Sequence, residues 1–187
     1  MQLPVYAYGQ PVLKKIAKDI SKEELKELGN LIEDMYETMY KTNGVGLAAP
    51  QIGKSIRLFV VDTIQIEKDM EIKSGIKKAF INAHILEKSG ELSSYEEGCL
   101  SFPEINGNVE RETIVKIQYV DEDFNEHIET YDGFNARVIL HEYDHLDGKL
   151  FVEKFKPLKL RMLKKKLENI RTGNITPSYP MRFYRGR

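Results

Sequence analysis

The residues best able to do chemistry are His141-Glu142-Tyr143-Asp144-His145. An α-helix repeats every ~3.6 residues, so side chains four apart share a face and both imidazoles can reach one ion. Glu142 sits beside the first histidine, where its carboxylate can reach a water on that ion. The pattern is H-E-x-x-H: two metal ligands and a general base for hydrolysis. A polar helix with two surface histidines would read the same way. The rest of the chain must therefore supply a third ligand, a pocket and a substrate.

A metzincin would continue H-E-x-x-H-x-x-G-x-x-H. Gly148 falls in place, but Phe151 occupies the final histidine position. Glu153 follows the helix too closely to be an attractive downstream ligand, and Glu168 lies on a basic terminal helix. Cys99, the single cysteine, remains. Its neighbours Glu96 and Glu97 would not lower a thiol pKa, which weakens a nucleophile reading. A divalent ion would deprotonate the thiol outright. One thiolate and two imidazoles leave a fourth position open, as catalytic sites commonly do.

A second stretch, Gly44-Val45-Gly46-Leu47-Ala48-Ala49-Pro50-Gln51-Ile52-Gly53, is small, apolar and uncharged. Glycines let a backbone approach a ligand closely. The stretch lacks the spacing and lysine of a phosphate loop. Its plain reading is a tight turn into a strand; Gln51 adds a neutral donor suited to an oxyanion hole.

Several elements must position these residues. Ser21 and Glu24 form a capping box, and Leu25, Leu28, Ile32, Met35 and Met39 follow at helical steps, predicting one amphipathic helix that Asn43-Gly44 ends, with Gly44 left-handed. Arg57–Asp62 reads as a buried strand, Thr63–Gly75 as a polar loop, and Ala79–Leu86 and Glu91–Tyr95 as two strands joined at Ser89-Gly90. His84 reads as a packing histidine. Gly98 and Pro103 put Cys99 on a bend, with Pro103 stopping any central strand. Thr113–Val120 and Glu126–Tyr131 predict an antiparallel hairpin, with His127 exposed. The helix holding the histidines opens at Asp132-Gly133 or Asn135 and closes at Gly148. Phe134, Val138, His141 and His145 share its face, placing an apolar wall below the metal. Leu160, Leu163, Leu167 and Ile170 mark a last helix after Pro157.

At 187 residues the chain is most simply one domain. The expected fold is α+β: mixed or antiparallel sheets packed around a central metal-binding helix, with an N-terminal and a C-terminal helix. Residues 1–171 form the expected catalytic domain and 172–187 a basic tail, extended or loosely docked. No apolar run approaches the ~18 residues of a membrane helix, and Met1–Gly9 lacks the features of a secretory signal, so a cytoplasmic location is expected. Between residues 154 and 187, eleven Lys and Arg stand against one acid, Glu168. With a formal net charge of −1 overall, the preceding residues carry −11. Such asymmetry suits an anionic partner, nucleic acid first, although the same charges also solvate a terminal helix.

Three stretches together carry a resemblance: Gly44–Gln51 as G-V-G-L-A-A-P-Q, Glu97–Ser101 as E-G-C-L-S, and His141–His145 as H-E-Y-D-H. In this order they are similar to the motifs of the bacterial-type peptide deformylases, and Tyr8–Leu13 and the first helix extend the likeness to about residue 165. The resemblance implies a metal-dependent hydrolase that removes the N-formyl group from the formylmethionine of nascent polypeptides and releases formate. It implies that Cys99, His141 and His145 bind one divalent ion, Fe(II) physiologically, with Zn(II), Ni(II) or Co(II) able to replace it. A metal-bound water would attack the formyl carbon with Glu142 as general acid/base. Gln51 and the Leu100 N–H would stabilise the oxyanion, Gly46 would meet the substrate backbone, and Val138 and Phe134 would receive the methionine side chain. Nascent formyl-methionyl chains are then the substrate, and the basic C-terminal segment offers a contact to the ribosome. Two rivals share parts of the pattern: an H-E-x-x-H metallopeptidase, and an RNA-binding protein with a structural metal. A structural zinc usually has four protein ligands, and only three stand out.

Overall fold

The structure is a computed structural model and describes residues 1–68 and 72–184; part of the Thr63–Gly75 loop and Gly186 of the tail lie outside them. Chain order runs β1 (Val5–Tyr6), α1 (Lys22–Glu27), α2 (Leu31–Lys41), β2 (Gly46–Ala48), β3 (Leu58–Asp62), β4 (Lys77–Cys99), β5 (Phe102–Val120), β6 (Glu126–Asp132), α3 (Gly133–Leu146), α4 (Pro157–Thr172) and β7 (Met181–Arg182). Strands β2-β3-β4-β5-β6 form one antiparallel sheet, and β1 pairs with β7 in parallel. The fold is the expected α+β arrangement. Among the described residues, no helix is long and apolar enough to cross a membrane.

The run Leu58–Asp62 is buried throughout because helices cover both faces of β3. Phe59 and Val61 point to α3 and share a cluster with its Ile139 and Leu140 and with Phe80 of β4. Leu58 and Val60 point the other way, to Leu31, Met35 and Met39 of α2. This alternation follows from the two-residue period of a strand. A third apolar cluster joins Phe102, Ile105 and Val109 of β5 to Phe151, Phe155 and Ile170, seating α4. The site lies where these layers meet.

Four expectations about the backbone are corrected. The N-terminal stripe is two helices, because Gly29 adopts φ 60 and turns the chain after Leu28; glycine weakens a helix and supplies that turn. Leu25 and Leu28 still pack with the α2 cluster, so the periodicity survives the break. The left-handed residue after α2 is Asn43 (φ 55), with the Gly44 N–H donating to Met39 O at 2.9 Å. Strand β4 runs unbroken through Ser89-Gly90, where Gly90 (φ 80) sits in a register shift rather than a turn. Strand β5 begins at Phe102 and contains Pro103; β6 pairs with it only from Ile114 onward, so Pro103 lies beside a free edge that tolerates its missing N–H.

The capping box at Ser21 and Glu24 is present, with Glu24 N–H donating to Ser21 Oγ and Ser21 N–H to Glu24 Oε2. His84 is exposed, not packed, and its Nε2 lies 3.0 Å from both Asp19 carboxylate oxygens. His127 is partly covered, stacking on Tyr119 and contacting Asp121.

Candidate metal centre and active site

Helix α3 starts at the Asp132 cap and ends at Asp147, with Gly148 (φ 66) turning the chain away. A Cβ at Gly148 would lie 2.6 Å from the Lys14 carbonyl oxygen, so this ending fits only glycine. The helix buries His141, Glu142 and His145. The two-residue turn between β4 and β5 brings Cys99 opposite them. One ligand atom each of Cys99, His141 and His145 lies within 4.8 Å of the others, and Cys99 Sγ is 3.4 Å from His145 Nε2.

Phe151, at the position where a metzincin has its third histidine, is buried and packs its ring 5.7 Å from that of His141. Glu153 instead pairs with Lys14, and Glu168 with Arg171, both at the surface. Neither acid joins the cluster.

The donor set suits a divalent ion: a soft thiolate and two imidazoles, three ligands on two rigid elements. A second observation agrees. Glu142 Oε2 is buried with no hydrogen-bond partner among the described residues, a costly condition for a carboxylate that a water or ligand in the site would relieve. Burial pushes the Glu142 carboxyl up to about 7, against the opposing charge of His141. At His141 burial favours the neutral ring, but the Cys99 sulfur and Glu97 outweigh it and push the imidazole up to about 10. His145 is held well below the usual value by burial and by His141. A bound ion would displace the proton on His141.

The glycine stretch forms the facing wall. Gly46 in β2 is close enough to Glu142 that an added Cβ would lie 2.5 Å from Glu142 Oε1, so the carboxylate occupies space a side chain would fill. Gln51 is buried in the turn after β2. Its Oε1 accepts the Ala48 N–H at 2.9 Å, which turns Nε2 toward Cys99 Sγ and Ser101 Oγ, each 3.4 Å away. Gly46, Gln51, Leu100, Phe134 and Val138 line one cavity of about 380 Å³ together with Cys99, His141 and Glu142. All the proposed catalytic and substrate-contacting residues thus share one space with Cys99 and His141, and His145 reaches the Cys99 sulfur.

Glu97, Arg111, Arg137 and Asp144 had no structural role assigned from the sequence. Glu97 Oε2 lies 2.9 Å from His141 Nδ1, fixing the ring so that its other nitrogen faces the site. The same carboxylate accepts from Arg111 Nε at 2.7 Å and from Arg137 at 2.9 Å. Arg111 also donates to Asp144 at 2.7 Å. Burial alone would raise the Glu97 carboxyl, but His141 and Arg111 hold it far below the ordinary range. One signal was available: Glu97 stands two residues before Cys99, so on a strand both side chains fall on one face.

The sequence matches the family model described as polypeptide deformylase over residues 2–161. It is 48% identical over 190 residues to the peptide deformylase of Christiangramia forsetii, covering 98% of this chain and 96% of that one. It is 48% identical over 183 residues to that of Cytophaga hutchinsonii, covering 98% of each. Among solved structures, a peptide deformylase from Legionella pneumophila matches with a TM-score of 0.80 at 36% identity, covering 95% of this chain and all of that one. The peptide deformylase from Thermotoga maritima matches with a TM-score of 0.72 at 42% identity, covering 84% and 99%. Sequence, fold and clustered residues lead to one assignment: the chain belongs to the polypeptide deformylase family.

Proposed function

We propose that this enzyme hydrolyses the N-formyl group from the formylmethionine of nascent polypeptides, acting in the cytoplasm and releasing formate. The observation that carries the reading is the convergence of Cys99, His141 and His145 with Glu142 and Gln51 around one cavity. Cys99, His141 and His145 would hold one divalent ion, Fe(II) in the cell with Zn(II), Ni(II) or Co(II) as substitutes, supplying a Lewis acid that lowers the pKa of water to about 7.

Each side chain has a part in the reaction. Glu142 takes a proton from the water that adds to the formyl carbon. Its carboxyl at about 7 suits a group that must accept and then return a proton at neutral pH. As the tetrahedral carbon forms, Gln51 Nε2 and the Leu100 N–H donate to the oxygen that gains charge; one such donor is worth about 2.7–4 kcal/mol of barrier. The C–N bond then breaks, Glu142 passes its proton to the departing amine, and formate leaves. Gly46 and Leu100 crowd the acyl position, which favours the smallest acyl group. Val138 and Phe134 offer the methionine side chain an apolar wall. One methylene there is worth only about 1–3 kcal/mol, so similar apolar side chains are tolerated.

The test is formate release from a formyl-Met peptide by anaerobically prepared protein, beside N-acetyl and unmodified peptides. Release from the formyl peptide alone is expected. Cleavage of internal bonds in all three would replace this reading with a general peptidase. Glu142→Ala should keep its metal and lose turnover; retained activity would remove Glu142 from its assigned role. We also propose that the basic face of α4 takes an anionic partner, the ribosome that presents the nascent chain.

A further inference from the structure

The turn that carries Cys99 and Leu100 is held by both ends of the chain. The Tyr8 N–H donates to the Ser101 carbonyl at 2.9 Å. From the other end, the Tyr179 hydroxyl donates to the Leu100 carbonyl at 2.7 Å. A two-residue hairpin turn ordinarily leaves these carbonyls to water; here protein donors take both. The Leu100 N–H, by contrast, has no partner among the described residues.

Tyr179 is itself fixed on each side. Before it, Gly173 (φ 75) closes α4, and the Asn174 N–H donates to Asn169 O at 2.8 Å. After it, β7 pairs with β1, with the Val5 N–H donating to Pro180 O and the Ala7 N–H to Arg182 O, each at 2.9 Å. The half-buried Tyr179 ring lines the same cavity as Cys99, His141 and Glu142. The residue lies beyond 161, where the family match ends.

We infer that Tyr179 is a positioning residue for this active site: its hydroxyl locks the Leu100–Ser101 peptide, and through it the placement of the Leu100 N–H and the Cys99 sulfur. The inference rests on the deformylase reading, in which the Leu100 N–H meets the developing oxyanion. Losing the hydroxyl leaves the ring, the cavity wall and the docked segment in place. It frees the Leu100–Ser101 peptide to rotate, and the adjoining Cys99–Leu100 peptide, which carries the donor, loses that restraint, so the donor meets the transition state less often. Ground-state binding through the methionine side chain is untouched.

The experiment compares wild type with Tyr179→Phe in formate release from a formyl-Met peptide, with kcat expressed per bound metal and KM determined separately. Metal content and melting temperature are measured on the same samples. A net hydrogen bond of ordinary strength corresponds to a fall in kcat of roughly three- to tenfold, with KM within about twofold and melting temperature unchanged. A variant with wild-type kcat per metal overturns the inference, whether or not its KM rises or its melting temperature drops. A rise in KM alone would make Tyr179 a binding wall, and a lower melting temperature alone a structural clamp. An inactive wild-type protein would reject the deformylase reading and this inference with it.

Discussion

Gly46 shows how tightly single atoms constrain this site. The sequence reading gave it a substrate-backbone role; the structure adds a steric one, because its missing Cβ leaves room for the Glu142 carboxylate. Gly46→Ala should push that carboxylate aside while leaving Cys99, His141 and His145 in place. A misplacement near 1 Å costs roughly 100-fold in rate, so turnover should fall on that order with metal content unchanged. Activity within twofold of wild type would show that Glu142 has room to spare. Gln51 illustrates the same economy: one amide oxygen is anchored by Ala48, so the amide nitrogen has a set direction.

Between elements, charge pairs do the aligning. Glu97 of β4, Arg111 of β5, and Arg137, His141 and Asp144 of α3 form one buried network that ties the helix to the long hairpin. Removing one partner of a buried pair leaves the others uncompensated, at a cost of about 3–5 kcal/mol. Glu97→Gln should therefore lower the urea midpoint by an amount corresponding to that loss and weaken metal retention. A change below about 1 kcal/mol would mean the arginines find other partners. A second cluster crosses the sheet. Glu129 of β6 accepts from Lys78 of β4 at 2.7 Å, Tyr119 of β5 at 2.6 Å, and Tyr131. Partial burial raises the Glu129 carboxyl, but these donors outweigh it and bring it down to about 2. A folded-state pKa below the ordinary value stabilises above that value and is lost as pH falls through the folded one. The difference in urea midpoint between wild type and Glu129→Gln should accordingly hold above pH 5 and close toward pH 2. A gap that stays constant over that range would rule the cluster out as a contributor to acid sensitivity.

For the molecule as a whole, the charge asymmetry read from the sequence becomes a surface. Lys159, Arg161, Lys164 and Lys165 of α4 are exposed beside Leu158 and Met162. Lys166 instead donates to the Glu104 carbonyl at the surface. The segment after α4 also supplies β7 and Tyr179, so its deletion would disturb the site as well as the charge. Charge reversal separates the two: Lys164→Glu with Lys165→Glu should reduce co-sedimentation with ribosomes and flatten its dependence on salt, while formate release from a short peptide is unchanged. Equal co-sedimentation of variant and wild type would leave the basic face as a solubilising surface only.

The clustering of the helix residues was legible because it is local. H-E-x-x-H needs only helical spacing, so His141, Glu142 and His145 could be placed before any fold was known, as could the capping box at Ser21 and the buried strand expected over Arg57–Asp62. Cys99 was reached by elimination along the chain. What lay between elements was not legible. Glu97 read only as an acid beside Cys99 until β5 brought Arg111 to it, and Tyr179 looked like part of a tail until β7 paired with β1 and carried it to Leu100. Pro103 read as a strand breaker because its tolerance depends on which neighbour the strand lacks. Spacing along the chain determines which face a side chain takes. Only the tertiary structure decides what stands opposite, because hydrogen bonds and ion pairs act over a few ångströms between residues far apart in sequence.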